Sequence, residues 1–396
     1  MLKLMTSSPV DALRHERNVT TGKKIILVSR CAWTLYNFRA GLIETLKRYG
    51  HTVIGGGAAG DGFEPRIEAL GVPFVPLPVD KKGINLRADI ELLWTLYRWY
   101  RRERPDVIHH FTIKPVIYGS LAARLAGVPR IVNTVTGLGF VFIEEEMEWL
   151  RRLVERLYRL ALACAHFTFF QNQDDLEAFA SRRLVKRSKA GLLPGSGVDT
   201  EFFVPCSNTT PEADRPLTFI MVARLLRHKG VCEYVEAARR VKLEFPDVQF
   251  QLLGRRDERN PSVVLQEDLD RWQADDVITW LGEVPDVRPI VAKADVVVLP
   301  SYREGIPRSL LEAAAMGKPI ITTDAVGCRE VVEDEVNGLL VPVKDAKALA
   351  QAMIRMIRNR GMRALMGKAS REKAAREFDE RVVIEKILKS YEGATR

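Results

Sequence analysis

Two pairs of charged residues carry the chemistry this sequence offers. Arg224 and Lys229 have four residues between them and lead into Gly230, while Glu304 and Glu312 have seven between them. The glutamates sit in ADVVVLPSYREGIPRSLLE, residues 294–312. Its apolar, β-branched run at 296–299 reads as a buried parallel strand that breaks at Pro300 into a polar loop ending at Gly305. A helix then starts, with Pro307 expected in its first turn. At such a strand, glycine turn and helix start, backbone N–H groups and the helix dipole converge on an anion. A carboxylate beside it accepts hydrogen bonds from sugar hydroxyls, because it carries acceptors only. Taken singly, either glutamate reads equally as a cap or a solvated residue. Arg224 and Lys229 change the balance: they follow a strand of their own, where both cations could reach a diphosphate. Cations for phosphate and carboxylates for hydroxyls describe a sugar-phosphate or nucleotide-sugar pocket.

These residues need a scaffold, and the periodicity supplies one. Residues 24–29 (KIILVS) read as a first strand, followed by a helix near 37–49 and strands at 51–54, 106–109 and 130–134. The polar stretch 205–216 reads as a linker. A second alternation follows, with strands at 217–223, 248–253, 277–281, 295–299 and 319–322 and a helix at 231–244. Alternating strands and helices give the α/β class, two doubly wound parallel-sheet domains that bind ligands at the carboxyl ends of their strands. The expected divisions are a flexible leader (1–22), an N-terminal domain (23–204), the linker (205–216), a C-terminal domain (217–376) and a final helix (377–396). Residues 345–390 read as helical nearly throughout, and the last helix, about 380–391, could cross back to the first domain. The cleft between domains is the expected site.

Length and composition agree. At 396 residues the chain exceeds one ordinary core, and 46% hydrophobic with 28% charged residues is a globular composition. No apolar run has the length of a membrane span, and residues 1–23 lack the apolar core of a secretion signal, so a cytoplasmic location is expected. Five cysteines, at 31, 164, 206, 232 and 328, follow no disulfide or zinc spacing. The net charge of +9 sits wholly in the first half: 29 Lys and Arg face 20 Asp and Glu in residues 1–200, against 31 and 31 in 201–396. Such asymmetry points to a polyanion, either nucleic acid or an anionic membrane surface. No helix-turn-helix, RNA-recognition or zinc-finger signature accompanies it, so nucleic acid is not expected as a partner.

Arg224-x4-Lys229-Gly230, Glu304-x7-Glu312 with residues 295–301 leading in, and Leu193-Pro194-Gly195-Ser196-Gly197-Val198-Asp199 together resemble the retaining family 4 glycosyltransferases of the GT-B fold. The resemblance covers most of residues 24–392. It implies that Arg224 and Lys229 hold the donor diphosphate and neutralise the leaving group, that Glu312 accepts from the ribose and that Glu304 contacts the donor sugar. Backbone N–H groups over Gly305, Ile306, Pro307, Arg308, Ser309 and Leu310 would lie near sugar or phosphate oxygens, with the base near Gly254 and Val284. The donor is expected to be UDP-linked. Departure of a diphosphate develops negative charge that fixed cations stabilise, so no metal or other cofactor is required. The D-x-D at 268–270 falls in a helical stretch and reads as a solvated face. A leaving phosphate oxygen can take the acceptor's proton. His109 is the best side chain for positioning acceptor or donor sugar, with His110 behind it. Where many relatives place a histidine, this chain has Thr136-Gly137-Leu138-Gly139, a departure that bears on any histidine-based mechanism.

The first domain supplies the acceptor side. Asn37-Phe38-Arg39, Phe111-Thr112-Ile113-Lys114-Pro115 and the stretch from Thr136 and Gly137 to Phe142 resemble the subgroup that extends polyprenyl-diphosphate-linked saccharides in bacterial surface-polysaccharide or glycan assembly. Arg39 and Lys114 would meet the acceptor's diphosphate. Two arginine-rich stretches with Trp and Tyr, 92–104 and 149–159, suit an anionic membrane surface, with packing against the sheet as the competing reading. The competing functions are a soluble-acceptor transferase or a sugar-nucleotide epimerase and, from another class, a nucleic-acid-binding protein.

Overall fold

The computed structural model describes residues 22–80, 85–137, 148–206, 215–258 and 260–392. The expected leader up to residue 21, the middle of the expected linker at 207–214 and the Leu138-to-Phe142 stretch lie outside them. By compactness the chain falls into two units, residues up to 110 with 118–131, and 111–117 with 132 onwards.

Thirteen strands among the described residues build two parallel sheets. The first comprises β1 (Lys24–Cys31), β2 (Thr52–Ala58), β3 (Phe74–Pro76), β4 (Val107–Phe111), β5 (Arg130–Val135), β6 (Phe167–Phe170) and β7 (Ala190–Leu192), in the order β3-β2-β1-β4-β5-β6-β7. The second comprises β8 (Thr218–Val222), β9 (Gln249–Leu253), β10 (Thr279–Trp280), β11 (Val296–Leu299), β12 (Ile320–Thr323) and β13 (Gly338–Val341), in the order β10-β9-β8-β11-β12-β13. Central strands are apolar end to end because helices cover both faces: Ile25 to Val28 in β1 and Val296 to Val298 in β11 are buried without break. Strand order reverses between β1 and β4, and between β8 and β11. At such a reversal the following segments leave to opposite sides and open a crevice beyond the carboxyl ends. In the second sheet, the two strands flanking the reversal are those that lead into the Arg224–Lys229 and Glu304 loops.

Several boundaries differ from the sequence reading, each for a local reason. The strand expected at 277–281 contracts to Thr279–Trp280, because the Val277 and Ile278 N–H groups both turn to the carbonyl of Trp272 and close the preceding helix, Gln266–Ala274. The first helix begins at Ala32, five residues before expected, where the Thr34 hydroxyl meets the Cys31 amide at 3.2 Å and turns the chain. Pro307 is the N-cap and the helix is Arg308–Ala315; with ψ near 115° its backbone is extended, so the proline precedes the first turn instead of occupying it. Strands β3, β6, β7 and β13, three or four residues each, are too short to show a period in the sequence. The helices after 345 follow expectation, and the Asp345 and Asn359 side chains cap Ala346–Arg358 and Arg360–Lys373 through the amides of Ala348 and Met362 at 2.8 and 2.9 Å.

The arginine-rich helices resolve into two faces. In Leu86–Glu103, Leu92, Leu96, Trp99 and Tyr100 are buried, while Leu86, Ile90 and Trp94 are exposed at four-residue spacing. Packing therefore claims four of the residues that the sequence offered to a membrane and leaves Trp94, stacked on Tyr97 at 5.3 Å. In Glu148–Cys164, Leu150, Val154 and Tyr158 are buried and Trp149, Leu153 and Leu160 are exposed. Among the described residues no helix is long and apolar enough to cross a membrane.

Candidate active site

The two charged motifs meet. Beyond β8 the chain makes a single tight turn, Arg227–Lys229, and enters the helix Val231–Lys242 through Gly230 at φ 80°. A side chain at residue 230 would run into the carbonyl of Pro300 at the end of β11, so glycine is required by both its backbone and its surroundings. The loop beyond β11 docks on this turn: the Tyr302 N–H donates to the His228 carbonyl at 3.0 Å, and the Ser301 hydroxyl oxygen lies 3.3 Å from the same carbonyl. The Lys229 ammonium donates to Glu304 Oε1, and the Ser301 hydroxyl donates to the same oxygen at 2.7 Å. Both charged side chains are largely buried, 16% and 11% exposed, so each is the other's principal counter-charge. The Glu304 N–H donates to the Val326 carbonyl at 2.9 Å. Cys328 lies beside the Thr322 and Thr323 hydroxyls with the Glu304 charge close by; burial first, then that charge, pushes its thiol up to about 12. Arg224, itself exposed, reaches the half-buried carboxylate of Asp257 at 3.3 Å.

Glu312 projects from the first turns of Arg308–Ala315, where Arg308 Nε donates to its Oε1 at 2.9 Å. Burial raises its pKa against the pull of Arg308. In the Gly305-to-Leu310 stretch Pro307 has no N–H and the Leu310 N–H bonds the Pro307 carbonyl at 3.0 Å, so neither of these two positions offers a backbone donor to an anion. Gly254, at φ 147°, lies against the Ala223 carbonyl where β8 and β9 end together. Its N–H donates to the Gly282 carbonyl at 2.7 Å, and Val284 packs, half-buried, on the core of the second sheet.

Residues 132–199 add contacts to the same loop. Gly305 abuts the Thr136 carbonyl and the Gln171 side chain, and Gly137 lies 3.8 Å from the Gly305 nitrogen measured from an added Cβ. The Asn172 amide donates to the Gly305 carbonyl at 3.2 Å while its oxygen caps the helix Gln173–Ser181 through the Asp175 N–H at 2.7 Å. Arg303 donates to the buried Asp175. Gly195, from the Leu193-to-Asp199 motif, packs on Ile306. The sequence reading missed Ser301, Asp257, Gln171, Asn172 and Asp175. Asn172-x-x-Asp175 is legible as a cap, but nothing in the sequence says that the cap also holds Gly305.

His109 and His110 occupy adjacent, opposite-facing positions of β4, pairing in register with Leu27 and Val28. Both are fully buried. Burial first, then the Arg39 charge and the neighbouring His110, holds His109 well below the usual imidazole range, so it is neutral at neutral pH. Arg39 is itself buried in Ala32–Arg48. The Tyr100 hydroxyl pairs with His110 Nε2 at 3.0 Å. The Lys114 ammonium is buried beyond the end of β4. Thr112, just before it, holds φ 70°, a strained conformation for a β-branched residue.

Comparison with known proteins places this geometry. Residues 38–195 match the model described as glycosyl transferase 4-like domain, and residues 216–359 match glycosyl transferases group 1. The chain belongs to the family 4 glycosyltransferases. The N,N'-diacetylbacillosaminyl-diphospho-undecaprenol alpha-1,3-N-acetylgalactosaminyltransferase of Campylobacter jejuni is 28% identical over 380 residues, 93% of this chain and 98% of that protein. The UDP-Gal:alpha-D-GlcNAc-diphosphoundecaprenol alpha-1,3-galactosyltransferase of Escherichia coli is 29% identical, covering 80% of this glycosyltransferase and 82% of the relative. Among solved structures, Anabaena HepE in complex with UDP superposes with a TM-score of 0.74 at 18% identity, over 93% of this chain and 99% of that one. A glycosyltransferase from Rickettsia africae gives 0.75 at 18% identity, over 93% and 98%. These neighbours give this glycosyltransferase the GT-B fold, two parallel-sheet α/β domains.

Proposed function

We propose that this glycosyltransferase moves a hexose or N-acetylhexosamine from a UDP-linked donor to a polyprenyl-diphosphate-linked saccharide, with retention at the anomeric carbon, at the cytoplasmic face of a membrane. The observation that carries the reading is the joining of Lys229, Glu304 and Ser301 at the carboxyl ends of β8 and β11. That crevice offers cations for a diphosphate, carboxylates for hydroxyls and a helix start for phosphate oxygens. The names of the Campylobacter and Escherichia relatives, both transferases acting on undecaprenyl-diphosphate-linked sugars, support the acceptor class.

In this reading Arg224 and Lys229 face the departing diphosphate, where charge grows in the transition state, and so stabilise it more than the ground state. Glu312 accepts from the ribose hydroxyls with Arg308 fixing its orientation. Glu304, held by Lys229 and Ser301, faces the donor sugar and links its position to that of the leaving group. The acceptor hydroxyl attacks on the face that the phosphate leaves, and a phosphate oxygen takes its proton. Neutral His109 is a positioning group. The exposed face Leu86, Ile90 and Trp94, with exposed Arg87, Arg98, Arg101 and Arg102 on the same helix, suits an anionic leaflet.

The test is transfer from radiolabelled UDP-sugars to a short-chain polyprenyl-diphosphate saccharide, with product anomers read by NMR. Lys229→Ala and Glu304→Ala should each lower turnover about a hundredfold or more in folded protein. Full activity in both variants would remove the basis for the site, and an inverted product would remove retention.

A further inference from the structure

A second concavity lies next to the donor loop and is used by none of the steps above. It is a cavity of about 200 Å³ whose walls include Arg151, Asp174, Phe179, Arg182, Arg303 and Val326. Two of these walls flank Glu304 directly: Arg303 precedes it in the chain, and the Val326 carbonyl accepts its N–H. Several of the remaining walls are held by their neighbours. Phe179 is buried and packs edge-on against Tyr158 and Phe170 at 5.0 and 5.1 Å. Arg182 closes the helix Gln173–Ser181 and donates to Glu155 at 2.6 Å, with Arg151 reaching the same carboxylate at 3.5 Å. Arg303 is held by buried Asp175.

The charges decide what fits. Three guanidiniums suggest a diphosphate, but Glu155 engages two of them, Asp175 engages the third, and Asp174 adds a carboxylate to the wall. Three cations against three anions leave no net charge to offset a diphosphate, which would also meet Asp174 at close range. A neutral polyol is different. Guanidinium N–H groups only donate, a carboxylate only accepts, and a sugar hydroxyl does both. Ion pairs that hold donors and acceptors around the cavity make a preorganised site for one ring. The volume agrees, since it lies below the ~300 Å³ at which pockets for drug-sized ligands begin.

We propose that this cavity is the subsite for one sugar ring of the acceptor, with Asp174 accepting from its hydroxyls and Arg182 and Arg303 donating to them. The inference rests on the glycosyl-transfer reading and adds to it the residues that select the acceptor sugar. Its place beside Glu304 sets that ring next to the transferred one.

Saturation-transfer NMR with free glucose, galactose, N-acetylglucosamine and N-acetylgalactosamine tests it, with and without saturating UDP, on the whole protein and on Asp174→Asn and Arg182→Gln. Both substituted side chains face solvent at the cavity rim, so the fold should survive. The expected result is transfer to the ring protons of at least one sugar in the presence of UDP. It should weaken about tenfold or more in both variants, the change that corresponds to a lost hydrogen bond to a charged group. UDP affinity by calorimetry should stay within about twofold in both. Signal from no sugar, signal equal in all three proteins, or signal that UDP displaces would overturn the subsite. Failure of UDP to bind the unaltered protein would instead overturn the donor reading, and the calorimetric arm reports that separately.

Discussion

At the scale of single residues, the Lys229–Glu304 pair is the most consequential contact. Each side chain is largely desolvated, so removing one strands the other's charge. Lys229→Ala and Glu304→Ala should each cost on the order of 1–3 kcal/mol, discounted from a fully buried pair for their residual exposure. The double variant should cost no more than either single one, since the coupling is counted once; urea unfolding of all four proteins measures it, and strict additivity would mean that the two charges act independently. Glu312 makes a pH-dependent prediction. Burial raises its folded pKa above the unfolded value of about 4.3, so the native state holds the proton longer and stability falls as pH rises from the unfolded pKa through the folded one. Glu312→Gln removes that loss: relative to the unaltered protein it should gain stability as pH goes from about 4 to neutrality, followed by denaturant unfolding across that range. It should also weaken nucleotide binding, because an amide nitrogen replaces one acceptor.

At the scale of elements, the helix Leu86–Glu103 shows where sequence reading reaches its limit. Its arginines and aromatics were legible as an amphipathic pattern, but which aromatics face the sheet depends on where the helix lies against β2. Trp99 lies under Gly56 of that strand, whereas Trp94 points outward. Trp94→Ser with Ile90→Ser should therefore leave stability within about 0.5 kcal/mol for each site and abolish flotation with anionic vesicles at low salt. Trp99→Ala should cost roughly 3–5 kcal/mol in thermal or urea unfolding. Unchanged flotation in the double serine variant would separate this face from the membrane.

At the scale of the whole molecule, the C-terminal region is tied back by Arg371, whose guanidinium donates to the carbonyls of Thr200, Phe203 and Ala315 at 3.0, 3.0 and 2.8 Å. Arg371→Ala leaves three partly buried acceptors short of a donor and should lower stability by about 2–4 kcal/mol, read as a fall in Tm. A shift of less than a degree would make these bonds incidental. Much of this architecture was legible beforehand. Hydrophobic period and glycine turns determined two alternating α/β halves, and the spacing of Arg224, Lys229, Glu304 and Glu312 singled out two loops that the fold brings together, because period and turn chemistry are local properties of the chain. Short strands such as β3 and β7 were not legible, since three residues carry no period. What only the tertiary structure decided is which charges meet: Lys229 with Glu304 across 75 positions, and Arg303 with Asp175 across 128. Strand order sets those pairings, and it follows from how helices pack on both faces of a sheet, a relation between distant segments that no local pattern encodes.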